Sequence, residues 1–102
     1  MMKIELGICE FVPKREAGED KIIASGSIIK NNGEEIFFYL EVGEIQCKLS
    51  IGKKDPEILR TFMRSLGKPV TFRNEAGFPT MIWYLNNKII RILERMFDIK
   101  IA

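Results

Sequence analysis

The stretch DKIIASGSIIKNNGEEIFF, residues 20–38, decides the fold of this chain. Its NNG triplet lies between two apolar runs, and Asn and Gly tolerate the positive φ angles that tight hairpin turns need. The pattern therefore predicts that residues from about 27–30 pair with residues from about 35–42 as antiparallel strands. The earlier KIIASGSII run is either one more strand or a helix. Its adjacent β-branched residues, interrupted by Ser and Gly, favour the strand.

The segments on either side of this stretch alternate as half-buried strands do. In KIELGICEFV, residues 3–12, the residues that share one face are Ile4, Leu6 and Ile8. The PKREAGED segment after it predicts a loop or the start of a helix. In EIQCKLSI, residues 44–51, the apolar face consists of Ile45, Cys47, Leu49 and Ile51, and the polar face of Gln46, Lys48 and Ser50. We expect residues 3–12, 21–30, 35–42 and 45–51 to form a four-stranded meander.

The second half of the chain predicts a helix, a hairpin and another helix. In DPEILRTFMRSLGKP, Asp55 is an N-cap, Pro56 suits the first helical position and Gly67 suits the C-terminal cap. Residues 70–85 predict a hairpin, and residues 88–97 predict an amphipathic helix capped by Asn86 or Asn87. This order predicts one α+β domain over residues 1–102: a mostly antiparallel sheet of hairpins with two amphipathic helices packed on one face.

The composition excludes several kinds of chemistry. The 102 residues include no His and two Cys, which excludes His-based triads, His-containing zinc sites and zinc sites of four thiolates. Cys9 and Cys47 are far apart and outside any CxxC pattern, which favours two buried, reduced thiols in a cytoplasmic protein over a disulfide. No apolar run approaches the ~20 residues of a membrane-spanning helix, so we expect no membrane partner. The many Ile, Lys and Glu residues are typical of a heat-stable protein from a thermophile.

The net charge of +2 conceals an asymmetry between the two halves of the chain. Residues 1–50 carry 6 Lys and Arg against 9 Asp and Glu, whereas residues 51–102 carry 10 against 5. A basic half can be the footprint of a polyanion partner, and it can equally be the solvated surface of two helices.

From Ala24 onward, the sequence resembles the LAGLIDADG homing endonuclease family. The similar runs are ASGSIIKNNGEEIFFYLEVGEIQCKLSIGKKDPEILRTFMRSLGK and PTMIWYLNNKIIRILERMF, residues 24–68 and 79–97. They match that family in the order of hairpin, helix ending in Leu-Gly, second hairpin and closing helix. The resemblance implies that GEDKIIASG, residues 18–26, forms a motif helix that packs against another such helix. In the family, the residue before the closing glycine is an acid that binds a divalent metal.

That acid is absent from this sequence, because Ser25 precedes the closing Gly26. A neutral hydroxyl does not replace a carboxylate as a ligand of a hard cation. Glu19 and Asp20 lie about 7.5–9 Å away along a helix axis, too far to reach the same metal. The resemblance therefore implies a non-catalytic protein with no cofactor. An active metal-dependent endonuclease would need other acids, for which the candidates are Glu41, Glu44 and Asp55.

The family binds DNA with its sheet, and the resemblance implies double-stranded DNA as the partner here. Polar strand residues would contact phosphates and base edges, and the GKK loop, residues 52–54, would contact phosphates. Lys30, Arg73 and Tyr84 join the polar face of residues 44–51 only if the strand order permits. The expected DNA-binding residues are Lys30, Gln46, Lys48, Ser50, Lys53, Lys54 and Arg73.

A different function follows from EIFFYLEV, residues 35–42, which is apolar on both faces. Phe37 and Tyr39 share one face, and Ile36, Phe38 and Leu40 share the other. Each face needs a cover, which predicts a homodimer or a protein partner. Two hypotheses therefore follow: a small non-catalytic DNA-binding protein, and a protein-interaction or assembly module with neither nucleic-acid nor catalytic activity.

Overall fold

A computed structural model describes residues 2–13 and 20–102. Six strands form one antiparallel sheet: β1 Lys3–Val12, β2 Lys21–Ile29, β3 Glu35–Val42, β4 Gln46–Ile51, β5 Val70–Arg73 and β6 Pro79–Tyr84. Two helices accompany them, α1 Pro56–Leu66 and α2 Asn87–Phe97. The strand order is β1-β2-β3-β4-β6-β5, so α1 carries the chain from β4 to the edge strand β5. The predicted α+β fold is confirmed.

The undecided segment of the sequence is a strand. β2 pairs with β1 on one side and with β3 on the other, so that Ala24 lies opposite both Cys9 and Leu40. The four-stranded meander is therefore confirmed, and the described part of the motif stretch, residues 20–26, contains no helix. The remainder of that stretch, together with most of the predicted PKREAGED loop, lies outside the described residues.

One residue of β1 changes the alternation that the sequence predicts. Leu6 pairs with Gly26 and Ile8 pairs with Ser25, so Gly7 forms a β-bulge. The extra residue reverses the faces of all residues after it. The prediction that Ile8 shares a face with Ile4 and Leu6 was therefore wrong. Ile45 was also misplaced, because it lies in the turn before β4 and is 65% exposed.

The core lies between one face of the sheet and the two helices. Phe38 on β3 contacts Phe97 on α2 with ring centroids 5.1 Å apart, and Phe97 stacks on Phe62 of α1 at 6.0 Å. All three side chains are fully buried. Each buried side chain of this size contributes roughly 1.5–3 kcal/mol of hydrophobic stabilisation. Because both helices pack on the same face, the other face of the sheet has no helical cover among the described residues.

The two helices run in opposite directions across the sheet. The carboxylate of Asp55 caps the start of α1 by accepting from the Ile58 N–H, and the helix ends near Trp83, whose Nε1 donates to the Gly67 carbonyl at 2.8 Å. Asn86 caps the start of α2, which runs back until Phe97 meets Phe38. Neither helix is long and apolar enough to cross a membrane, and they are the only helices in the described ranges.

Candidate functional site

The face of the sheet turned away from the helices is the candidate site, and we call it the open face. Strand pairing and burial place alternate residues of each strand on it. Its charged side chains are Lys3, Glu5, Glu10, Lys21, Glu35, Glu41 and Lys48. Its large apolar side chains are Ile8, Val12, Ile23, Ile29, Phe37, Tyr39, Val70, Phe72, Ile82 and Tyr84.

Many of these apolar side chains remain in contact with solvent. Phe37 is 57% exposed, Phe72 is 41% exposed and Phe78, in the turn before β6, is 44% exposed. By contrast, Phe38, the neighbour of Phe37 on the core side, is fully buried. A concentration of exposed aromatic side chains on one face of a small domain marks an interaction surface.

A groove runs along the open face between β3 and the turn that joins β5 to β6. Its apolar part has a volume of about 260 Å³ and is lined by Phe37, Tyr39, Phe78 and Ala76, among others. Its wider part, of about 520 Å³, extends past Tyr39 to Phe72 and the charged ends of Glu41 and Lys48. The two parts share Tyr39, Ser50, Asn74 and Ala76, so they form one continuous groove.

Asn74 holds the turn that forms one wall of this groove. Its side-chain oxygen accepts from the Phe78 N–H at 2.9 Å, and its Nδ2 donates to the Ser50 hydroxyl at 3.4 Å. Gly77, with φ of 86°, takes the left-handed conformation that the turn requires. The floor is closed where Ser50 and Thr80 hydrogen-bond across β4 and β6 at 2.9 Å.

The charges of the open face are mixed, and opposite signs are adjacent. Lys21 forms an ion pair with Glu41 at 3.2 Å, and Glu41 lies opposite Lys48 in the β3–β4 ladder. Partial burial raises the pKa of Tyr39, and the charges of Glu41 and Glu10 raise it further. The strands place three Lys against four Glu on this face, and Arg73 and Glu75 also line the groove. Among the described residues, this surface therefore does not present the positive potential that a phosphate backbone selects.

The structure brings only some of the predicted DNA-binding residues together. Gln46, Lys48 and Ser50 share the open face, as their alternation predicted, although Ser50 is buried against Thr80 and Asn74. Lys30 follows the parity of Ile28 and lies on the helix side, where its Nζ donates to the Asp55 carboxylate at 2.8 Å.

The other three predicted residues lie toward the helix side or in the loop before α1. Arg73 pairs with Pro79 in the ladder, on the parity of the buried Met81, and its guanidinium donates to the Gly77 carbonyl at 2.7 Å. Lys53 forms an ion pair with Glu34, and Lys54 is exposed beside α1. The strand order therefore keeps Lys30 away from the polar row of β4. Arg73 does not belong to that row either, but it lines the wider part of the groove together with Lys48 and Ser50.

The acids considered for catalysis do not form one cluster. Asp55 is committed to the N-cap of α1 and to Lys30, whose hydrogen bond lowers the pKa of the Asp55 carboxyl. Glu41 is paired with Lys21, and Glu44 is exposed in the turn before β4. Across residues 2–13 and 20–102, no three Cys, Asp or Glu side chains converge as a cation site would require.

The two thiols lie in different environments and are not bonded to each other. Cys47 is fully buried on the core side of β4, as predicted, whereas the prediction that Cys9 is buried was wrong, because Cys9 is exposed on the edge strand β1. Burial raises the pKa of the Cys47 thiol to about 11, so this thiol stays protonated and unreactive at neutral pH.

Sequence reasoning missed Phe72, Phe78 and Asn74 as parts of the groove. The NEAGFP turn and the parity of Val70 and Phe72 were visible in the sequence. The pairing of β6 with β4, which brings this hairpin beside β3 and β4, was not. No family model, no curated protein and no solved structure matches this chain.

Proposed function

We propose that this protein is an assembly module that forms a homodimer through the open face of its sheet. The supporting observation is the groove and its exposed aromatic side chains, above all Phe37 at 57% exposure, on a face that no helix covers among the described residues. An antiparallel sheet with one solvated face normally alternates apolar and polar residues. β3 departs from that rule, because its outward residues include Phe37 and Tyr39.

A second copy of the chain suits this surface because of its charge. The face carries Lys21 and Lys48 close to Glu41, with Glu10 on β1 and Glu35 at the other end of β3. The sum is close to zero, so two copies can approach without strong repulsion, and a two-fold axis can set cations of one copy against acids of the other. Because its charges nearly cancel, the open face does not attract a strongly charged partner.

The size of the face also suits a dimer. Six strands at about 4.8 Å spacing and about six residues of length cover roughly 29 by 20 Å. That projected area is on the order of 600 Å², close to the ~800 Å² per partner of a standard stable interface.

The charge and position of the predicted DNA-binding residues favour this function over DNA recognition by the sheet. A sheet that binds DNA needs cations around a polar centre. Here the centre of the face is aromatic, Lys30 is tied to Asp55, and Arg73 follows the parity of the core side. The proposal also does not depend on the resemblance to the LAGLIDADG family, because residues 21–26 form a strand and not a motif helix. We place the module in the cytoplasm, where both free thiols remain reduced.

Light scattering coupled to size-exclusion chromatography, run over a range of protein concentrations, tests this proposal. The wild-type protein should pass from monomer to dimer as its concentration rises. Phe37→Ser should remain monomeric at concentrations where the wild type is dimeric, because it removes an aromatic side chain from the centre of the interface. Phe37 is largely exposed in the monomer, so we expect the variant to stay folded.

Ile45→Ser is the matched control. Ile45 is 65% exposed, but it lies in the turn before β4 and outside the groove. Its substitution should leave the dimer unchanged. A wild-type protein that is monomeric up to about 100 μM, or a dimer that survives Phe37→Ser and Phe72→Ser together, would refute the proposal.

A further inference from the structure

We infer that the surface formed by the two helices binds the phosphate backbone of double-stranded DNA, on the side of the molecule opposite the proposed dimer interface. Four arginines carry this inference: Arg60 and Arg64 on α1, and Arg91 and Arg95 on α2. We call them the four outward arginines. This surface is separate from the proposed dimer interface and from the sheet residues that were expected to bind DNA.

The two helices present their arginines in the same way. Arg60 and Arg64 each follow a buried residue, Ile58 and Phe62, by two positions. Two positions correspond to about 200° around a helix, so these side chains point directly away from the core.

The second helix repeats this spacing. Arg91 and Arg95 follow the buried Ile89 and Leu93 by two positions. All four outward arginines are exposed. In each helix the two arginines are separated by about 6 Å along the axis.

The antiparallel helices therefore carry two short rows of guanidinium groups. Packed helices lie about 8–10 Å apart. Both rows therefore lie on one side of the molecule, where their guanidinium groups can contact phosphates of the same duplex. Lys68 and Lys88, both exposed, extend the two rows at the same end of the helix pair.

None of the four outward arginines takes part in an ion pair within the described part of the chain. The ion pairs seen among residues 2–13 and 20–102 involve Lys3, Lys21, Lys30 and Lys53, none of which lies on a helix.

The acid nearest the α2 row is Glu94, whose carboxylate is held mainly by the C-terminal segment. It accepts hydrogen bonds from the N–H groups of Ile101 and Ala102, which lower its pKa most, and the charges of Lys100 and Arg91 lower its pKa further. Like charges at i and i+4 also destabilise a helix slightly, so the arginine pairs do not serve the stability of α1 or α2.

Duplex DNA fits this surface better than two other polyanions. A helix that binds an anionic membrane needs a free apolar side, but the apolar stripes of α1 and α2 are buried in the core, and Met63 is the one large apolar side chain exposed on the helices described. Single-stranded nucleic acid is bound largely by stacking on exposed aromatic rings. Phe62 and Phe97, the aromatic residues of the helices, are fully buried.

Fluorescence anisotropy with a labelled DNA duplex of mixed sequence, titrated at 50 and 200 mM salt, tests the inference. If each of the four outward arginines neutralises one phosphate, the logarithm of the binding constant should fall with the logarithm of salt concentration with a slope of about −3.6. Arg60→Glu combined with Arg91→Glu should reduce that slope to about −1.8 or less and weaken binding at 50 mM salt at least tenfold. Both changes create Glu–Arg pairs at i and i+4, so the melting temperature should stay the same or rise.

Lys3→Glu combined with Lys100→Glu is the matched control, because it changes the net charge from +2 to −2, as the arginine pair does, but at two exposed sites beside the edge strand β1, outside the groove and the four outward arginines. This control should retain most of the wild-type affinity and slope. Equal losses in both double variants would refute a helix-borne site and indicate attraction by net charge alone. The inference also fails if the wild type does not bind the duplex at 50 mM salt, or if it binds the single strand or anionic phospholipid vesicles more tightly than the duplex. The dimer measurement with Phe37→Ser is separate, because none of these arginines lies on the open face.

Discussion

The Nζ of Lys30 lies 2.8 Å from the Oδ2 of Asp55 and joins the end of β2 to the start of α1. The side chains of both residues are largely buried, with 14% and 7% exposure. The second oxygen of Asp55 accepts from the Ile58 N–H and caps the helix. One carboxylate therefore fixes the first turn of α1 to the strand layer, which sets the direction of the helix across the sheet.

Asp55→Ala should lower the free energy of unfolding by about 1–2 kcal/mol, since it removes the N-cap. Asp55→Asn should lower the free energy of unfolding by less, because Asn caps helices as well as Asp does. This variant loses only the negative charge. Urea denaturation of both variants measures the two effects separately. If Asp55→Ala and wild type have the same midpoint, the cap contributes nothing and this account of α1 is wrong.

The contribution of the Lys30–Asp55 pair to stability should decrease at both low and high pH. The hydrogen bond from Lys30 lowers the pKa of Asp55 from its ordinary 3.8, so this contribution is present above about pH 4 and is lost as the pH falls through the lowered value. The hydrogen bond to Asp55 raises the pKa of Lys30 from 10.5, so the contribution persists below that pH and is lost at still higher pH. The difference in unfolding free energy between wild type and Asp55→Asn should be flat across this window and shrink outside it. A difference that varies between pH 5 and 9 would contradict the assignment.

Trp83 should report on the packing of α1 against β6. Its Nε1 donates to the Gly67 carbonyl at 2.8 Å, and the side chain is 3% exposed. Trp83→Phe should destabilise the fold by about 1–2 kcal/mol through the lost hydrogen bond and the smaller ring. Tyr84→Phe, at the adjacent and exposed position, should change stability by less than about 0.5 kcal/mol. Thermal melts followed by circular dichroism compare the two, and equal effects would mean that the hydrogen bond is not important.

Gly26 should not tolerate a side chain. A Cβ there would lie 2.0 Å from the Glu5 carbonyl oxygen, across the bulge at Gly7. Gly26→Ala should therefore displace β1 and destabilise the protein by at least about 1–3 kcal/mol. Gly52→Ala is the control, since its Cβ would meet Phe37 at an ordinary 3.5 Å. Chemical denaturation decides between them, and a neutral Gly26→Ala would show that β1 is not held against β2 in this way.

The two thiols should differ in reactivity. Cys9 is exposed, whereas burial raises the pKa of Cys47 to about 11. Ellman's reagent at pH 8 should therefore modify one thiol rapidly in the folded wild type and none rapidly in Cys9→Ser. Both thiols should react in 6 M guanidinium chloride. Rapid modification of Cys47 in folded Cys9→Ser would contradict its burial.

The fold could be predicted where local chemistry decides it. The NNG turn, the alternation of β4 and the caps at Asp55 and Gly67 each act within a few residues, so the sequence carries them directly. The bulge at Gly7 could not be predicted, because it arises from the pairing of β1 with β2, which the sequence of β1 alone does not show. For the same reason, the side of the sheet on which Arg73 lies follows from the pairing of β5 with β6, and the loss of Lys30 as a DNA contact follows from a partner 25 residues away.

The candidate site was predictable in part. The outward Phe37 and Tyr39 indicated an interface from their alternation with buried residues, and the structure places them on one uncovered face. The rest of the groove depends on long-range packing, since Phe72 and Phe78 reach it only because β6 joins β4. The sheet residues expected to form a cationic surface were chosen by alternation alone, and alternation does not report which acids the neighbouring strands supply.

The most direct test of the proposed assembly is an isotope-filtered NMR experiment on a mixture of ¹³C-labelled and unlabelled protein at a concentration where the dimer is populated. We expect intermolecular nuclear Overhauser effects between the aromatic protons of Phe37 and Phe72 in one copy and the residues on the open face of the other copy. An absence of such effects in a sample that sediments as a dimer, or effects confined to β1 of the two copies, would show that the chain assembles through a different surface.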